Sequence, residues 1–225
     1  MVSIVSLHGG NKIYRRGAEE VHALRGVTVS LYPGELVALV GPSGSGKSTL
    51  LNTLCGWERL DDGTLSYGGT LADTEPADLP WSRLALVPQT LGLLEDLSIE
   101  ENILMPARIA GNLGTQRESA RELMDAFRID HLARRFPRQV SLGEQQRCCV
   151  ARALLLAPDL VLADEPTAHQ DAGFTDIVFD RMRELSGRGS TFLIATHNPD
   201  TWHHCDRVLS MSDGELHPGA PEMIG

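Results

Sequence analysis

A chain of 225 residues with a formal net charge of −10 lacks the basic face that nucleic-acid phosphates or anionic lipid would demand. Its apolar fraction of 42% and charged fraction of 22% suit a globular protein with a substantial core, in one large domain or two small ones. No apolar run approaches the ~20 residues of a membrane span, and the start MVSIVSL carries no signal peptide, which places the protein in the cytoplasm.

Residues 1–35 read as antiparallel strands. Val2–Leu7 and Val27–Leu31 alternate apolar and polar, and Pro33-Gly34 turns the chain into the next element. Between them, Tyr14 and the polar segment Arg15 to Glu20 read as a loop; Tyr14 is either a platform for a nucleotide base or a half-buried aromatic at a strand end.

The run Leu36-Val37-Ala38-Leu39-Val40 has the length and branching of a buried strand. Gly41-Pro42-Ser43-Gly44-Ser45-Gly46-Lys47-Ser48-Thr49 follows, and then Leu50, Leu51 and Leu54 at helical spacing. Strand, glycine loop and helix are the context in which G-x-x-x-x-G-K-[ST] forms a phosphate cradle. Its backbone N–H groups converge on one anion, helped by the helix N-terminus beginning near Gly46. Lys47 brings a mobile charge to the β/γ-phosphates and Ser48 offers a hydroxyl to Mg²⁺. The pattern predicts binding of a nucleoside triphosphate.

Asp61-Asp62-Gly63 is a turn, and Thr64 to Gly69 suggests a short surface hairpin. Leu84–Val87 is a further buried strand, with Gln89 just past its end, where open α/β sheets place ligand-contacting loops. Residues 90–140 change character. A capping box at Ser98 to Glu101 starts a helix running towards Pro106, and Arg117 to Phe127 is amphipathic, so this stretch reads as a helical insertion.

A second capping box, Ser141 to Glu144, opens a helix that Pro158 stops. Leu160–Ala163 is a buried strand delivering Asp164 and Glu165 at its end. Such a pair is the usual partner of a phosphate loop: Asp164 holds Mg²⁺, and Glu165 orients and deprotonates the attacking water. Ile177 to Leu185 reads as a helix and Thr191–Thr196 as a strand ending at His197, either a donor to a γ-phosphate or a loop cap. Asn198 and Pro199 then start a helix, and Val208–Met211 with the Asp213-Gly214 turn closes in a hairpin. Cys55, Cys148, Cys149 and Cys205 show no ligand spacing and read as buried thiols; His203-His204 diverge on a helix and make a poor metal pair.

Taken in order, Tyr14, the loop Gly41 to Thr49, Gln89, Val140 to Arg147, Leu160 to Glu165, Asp171 and His197 resemble the nucleotide-binding subunit of ABC transporters over the whole chain. Leu93-Leu94, Ser98, Glu101-Asn102, Pro106 and Gly111 look like its exporter branch, which includes lipoprotein-releasing, macrolide-efflux and cell-division ATPases. The resemblance implies an α/β P-loop NTPase (RecA-like) core with an N-terminal antiparallel β subdomain, built from 1–89 and 141–225, and an inserted helical subdomain at 90–140. It implies ATP and Mg²⁺ as ligands and Mg²⁺-dependent ATP hydrolysis. The nucleotide is expected on Tyr14 (stacking on adenine), Gly41, Ser43, Gly44, Ser45, Gly46, Lys47, Ser48 and Thr49, and on Ser141, Gly143 and Asp171 in a dimer of two copies. Mg²⁺ is expected on Ser48, Gln89 and Asp164, and catalysis from Glu165, His197, Lys47 and Gln89. The partners implied are a second copy and a membrane permease contacting residues 90–110, which holds the chain at the inner face of the plasma membrane. A soluble or regulatory ATPase of cell-division or iron–sulfur-assembly type is the alternative. Two departures stand out: the signature reads Val140-Ser141-Leu142-Gly143-Glu144 where the family usually has Leu-Ser-Gly-Gly-Gln, and Ala168-His169-Gln170 precedes Asp171 where a Leu is common. Leu142 is expected to restrict φ beside the phosphate and to weaken ATP-driven closure.

Overall fold

The computed structural model describes residues 2–17, 19–72, 74, 79–168 and 170–220; His169 lies outside them. Two sheets organise the chain. The smaller consists of β1 (Val5–Arg16), β2 (Glu19–Leu31) and β4 (Asp62–Tyr67), in the order β2-β1-β4, all antiparallel. The larger has six strands in the order β5-β6-β7-β3-β8-β9. These are β3 (Leu36–Val40), β5 (Leu84–Val87), β6 (Leu160–Asp164), β7 (Thr191–Thr196), β8 (Arg207–Ser212) and β9 (Glu215–Pro218); all neighbours run parallel except β8 and β9.

Every residue of β3, β6 and β7 is buried, as a strand covered on both faces must be. Alternation then sends successive side chains into two cores. Leu160, Leu162, Leu193 and Ala195 join the small sheet and Leu50, Leu51 and Leu54 of α1 (Lys47–Leu54). Val161, Ala163, Phe192 and Ile194 face the other way, onto α2 (Ile99–Ile109), α3 (Leu113–Ala126), α4 (Leu142–Leu154) and α5 (Ala172–Ser186).

Several boundaries differ from the sequence reading. Tyr14 is not on a loop: it lies within β1, paired with Val21, because the strands run on to the hairpin end. Residues 64–69 form no local hairpin; β4 pairs with the distant β1, Leu7 opposite Leu65, which lets Leu65 and Tyr67 pack on the core. Helix α2 continues through Pro106 to Ile109, since buried Ile103, Leu104 and Ala107 hold both sides of the proline. Helix α3 begins four residues earlier than the amphipathic stretch suggests. Helix α5 starts at Ala172 because the Asp171 carboxylate accepts from Phe174 N at 2.9 Å. Pro199 opens a 3₁₀ helix, Pro199–His204, in which the His204 ring stacks on Phe179.

Cys148 and Cys149 leave α4 on different sides, towards the carbonyls of Ile99 and Leu91. Burial pushes the Cys55 thiol up to about 11 and Cys148 and Cys205 up to about 12. Among the described residues, no three His, Cys, Asp or Glu side chains gather as a metal cluster.

Both capping boxes form. At α2, Ser98 accepts from Glu101 N, and Glu101 accepts from Ser98 N at 2.9 Å. One turn on, Asn102 is 1% exposed; its Oδ1 accepts from Leu94 N at 2.8 Å and its Nδ2 reaches the carbonyls of Leu94, Leu97 and Ser98. A single amide thus holds the 94–98 loop against α2. Replacing it with Ala strands those partners, so Asn102→Ala is expected to lower stability by about 2 kcal/mol, measured by urea unfolding of the nucleotide-free protein.

Candidate active site

Strand β3 ends in the glycine loop, whose turns lie outside the range of ordinary side chains. Gly44 has φ 81° and Gly46 φ 107°. A Cβ on Gly46 would also stand 2.3 Å from the Ala23 carbonyl oxygen, so the loop is pressed against β2. Ser43 and Gly44 are exposed on the cradle, whereas the Ser45 hydroxyl is buried beneath it, leaving only backbone at 45 for an anion. Lys47 folds back on its own loop, Nζ donating to the carbonyls of Gly41 and Pro42, each at 2.9 Å. Partial burial lowers its pKa, opposed by the carboxylates of Glu165 and Asp164.

Ser48 Oγ donates to Asp164 Oδ2 at 2.5 Å. The carboxylate stands at the end of β6, 6% exposed. A hydroxyl and a carboxylate on facing elements form a hard oxygen pair of the kind that suits Mg²⁺. Thr49 lies beside Tyr14, whose phenol is raised by burial against the opposing Thr49 hydrogen bond; the Tyr14 ring centroid is 5.4 Å from Lys12 Nζ.

Glu165 carries unusual backbone. Its φ is +53°, a left-handed conformation that costs a residue with a Cβ about 1–2 kcal/mol. Three bonds impose it: Glu165 N donates to Ala195 O at 2.9 Å, and its carbonyl accepts from Ala168 N at 3.1 Å and from Gln146 Nε2 at 3.2 Å. The turn aims the carboxylate at the end of β7, where His197 Nδ1 lies 2.7 Å from Oε1. The Glu165 side chain is 15% exposed and that of His197 74%, so the imidazole covers the acid and keeps its other nitrogen free for the groove.

That groove, of about 530 Å³, is lined by Gln89, Leu142, Gln146, Glu165, Gln170 and His197 among others. It therefore joins the ends of β5, β6 and β7 to the first turn of α4. Ser141 caps that turn: Oγ accepts from Glu144 N at 3.3 Å and donates to Glu144 Oε2 at 2.8 Å, while Ser141 N donates to the same carboxylate at 2.7 Å. These bonds hold the Glu144 carboxyl below the usual range. Leu142 is the first residue of α4 and lies outside the left-handed region, so its side chain carries no left-handed backbone strain. Its side chain is 55% exposed and projects into the groove.

The predicted residues thus fall into neighbouring groups: Gln89, Glu165 and His197 in the groove, Ser48 with Asp164, and Lys47 beside both carboxylates. The Asp171 carboxylate instead caps its own helix, and Tyr14 stands on a strand. Sequence reasoning missed Gln146, and it marked Gln170 as a departure before Asp171 without its bonds to α4. For Gln146 the signal was present, a polar residue on the buried face of an amphipathic helix.

Residues 24–168 match the ABC transporter family. The lipoprotein-releasing system ATP-binding protein LolD of Paramagnetospirillum magneticum is 41% identical over 211 residues, 91% of this chain and 93% of that one. LolD 2 of Caulobacter vibrioides is 38% identical, covering 95% and 96%. The macrolide export ATP-binding/permease protein MacB of Shigella flexneri is 36% identical over all of this chain, which spans 36% of its length. A dimeric ATP-binding cassette solved in a post-hydrolysis state with ADP and Pi superposes with a TM-score of 0.85 at 28% identity, covering 96% of this chain and 99% of that one.

The strain at Glu165 is measurable. Glycine at φ +53° carries no Cβ penalty, so Glu165→Gly is expected to be about 1 kcal/mol more stable than Glu165→Ala in the nucleotide-free state. Equal urea midpoints for the two would contradict the left-handed assignment.

Proposed function

This chain belongs to the ABC transporter family, and from that premise we propose that it is an ATP-hydrolysing subunit driving a separate membrane permease of lipoprotein-releasing or macrolide-export type. The observation that carries the catalytic part is the Glu165–His197 contact, which opens onto the groove that also holds the capped N-terminus of α4.

In this reading the backbone of residues 41–46 and the start of α1 wrap the phosphates, with Ser43, Gly44, Ser48 and Thr49 around them. Lys47 exchanges its two loop carbonyls for β/γ-phosphate oxygens. Ser48, Asp164 and Gln89 would hold Mg²⁺, which neutralises phosphate charge. Glu165 accepts the proton of the attacking water, and His197, beside that carboxylate, turns its ring N–H towards the γ-phosphate. Tyr14 supplies the face for the base. A second copy completes each site by presenting Ser141 and Gly143, with Asp171 near the contact, so ATP joins the two and hydrolysis releases them.

The permease contact is assigned to residues 90–110 and the adjoining groove of about 150 Å³, lined by Trp57, Trp81, Pro88, Gly92, Pro106 and Arg152. Trp57 is 68% and Trp81 45% exposed, an apolar seat for a short helix of the permease. Arg152 shapes it by donating to the carbonyls of Leu91 and Gly92. In support, MacB, by its name, unites an ATP-binding part with a permease in one polypeptide. Among the described residues no helix is long and apolar enough to cross a membrane, and the permease would hold this chain at the inner face.

Glu165→Gln is expected to keep ATP affinity within about threefold while turnover falls by 10²-fold or more, with an ATP-dependent dimer accumulating on size exclusion. Undiminished hydrolysis would remove Glu165 from the chemistry. Leu142 puts an apolar side chain on the path by which α4 approaches phosphate. In the Glu165→Gln background, Leu142→Gly should lower the ATP concentration for half-dimerisation several-fold; an unchanged midpoint refutes the obstruction.

A further inference from the structure

The loop after Glu165 is tied to α4 at two points. Gln146, 6% exposed, donates to the Glu165 carbonyl at 3.2 Å. Five residues along, Gln170 Nε2 donates to the Gly143 carbonyl at 2.9 Å, and its Oε1 accepts from Arg147 Nε at 3.0 Å. The orientation of the Gln170 amide is unambiguous, because the arginine can only donate and the carbonyl can only accept. Arg147 is itself fixed, its guanidinium 4.3 Å over the Phe174 ring and its Nη1 directed at the Phe127 carbonyl. The contact is close: a Cβ on Gly143 would come within 3.0 Å of Gln170 Nε2.

Between the two ties the loop is internally bonded, Ala168 N to Glu165 O and Gln170 N to Thr167 O. Glu165 has little freedom to move without Gln170, or Gln170 without the first turn of α4. Leucine, common here in the family the sequence resembles, can neither donate nor accept. The clasp thus belongs to this chain's own side chain.

We propose that Gln170 is a positioning residue that makes the setting of Glu165 depend on the first turn of α4. The inference rests on the function proposed above, in which Glu165 activates water and that turn meets the nucleotide of the second copy. Contact with that nucleotide displaces Gly143, the displacement passes through the Gln170 amide, and the strained turn at Glu165 responds. Each copy's hydrolytic base is then set by the half-site it offers its twin.

The test compares Gln170→Glu and Gln170→Met in the full chain. Glu keeps the bond from Arg147 but turns a second acceptor on the Gly143 carbonyl; Met fills the same volume and keeps neither bond. Both are expected to lower kcat about tenfold with KM for ATP within about twofold of wild type and nucleotide-free Tm within about 2 °C. A wild-type kcat in either variant, or a fall in kcat accompanied by an equal rise in KM, overturns the proposal. Glu165→Gln is assayed alongside. If it is inactive while the Gln170 variants turn over normally, only the clasp is refuted; if it hydrolyses like wild type, Glu165 is removed from the chemistry and the clasp falls with it.

Discussion

Parallel pairing of β6, β7 and β3 is the constraint on which the site depends. The registers set Val40 beside Thr196 and Asp164 beside Ala195, so three strands stop at one level and release their chains on one side. From those ends come the glycine loop, the Asp164-Glu165 pair and His197, with Gln89 beyond neighbouring β5. Ser48 and Asp164, 116 positions apart in sequence, meet because the sheet carries them there, not because their own segments attract. A one-residue slip of β6 would turn Val161 and Ala163 from one core into the other and move Asp164 and Glu165 off their places at the strand end.

Around this frame, polar groups that would be costly alone satisfy one another. Buried Asp164 takes a hydroxyl from Ser48, Lys47 takes two carbonyls of its own loop, and Glu165 takes His197. Each of these partners is replaceable: the hydroxyl, ammonium and imidazole can all turn to a triphosphate without unpacking hydrophobic side chains. The strained turn at Glu165 is different, because its bonds to Ala195, Ala168 and Gln146 come from rigid elements. Strain at Glu165 therefore falls on a backbone position whose direction matters for the chemistry proposed.

What the sequence made legible was local. The phosphate loop, the buried strands and both serine caps depend on residues within a few positions, and each occurs where its pattern puts it. Non-local pairings were not legible. Tyr14 looked like a loop residue because the polar run after it hides a strand held by a partner on the far side of the hairpin. Thr64 to Gly69 looked like a hairpin because nothing nearby announces that β1 claims Leu65. Asp171 carried both meanings in one residue, a cap for α5 and a candidate ligand, and the geometry assigns its carboxylate to the cap. Gln170 stood out only as a departure before Asp171; its role was not legible, since its two partners lie more than 20 residues upstream.

The capped end of α4 shows how one feature can serve the free chain and oppose a ligand. Glu144 places a carboxylate on the positive end of the helix and takes the Ser141 backbone N–H and hydroxyl, which stabilises the turn in the absence of an anion. A phosphate arriving at the same N-terminus would compete for that hydroxyl and be repelled by the carboxylate. Glutamine would cap by the same geometry without the charge. With Glu144, α4 is held ready in isolation, and in the dimer proposed above an incoming triphosphate would have to displace a bonded anion before taking the cap. On the proposed function, the free chain's stability and the tightness of an ATP-joined pair would draw on the same few hydrogen bonds, and gain in one would be loss in the other.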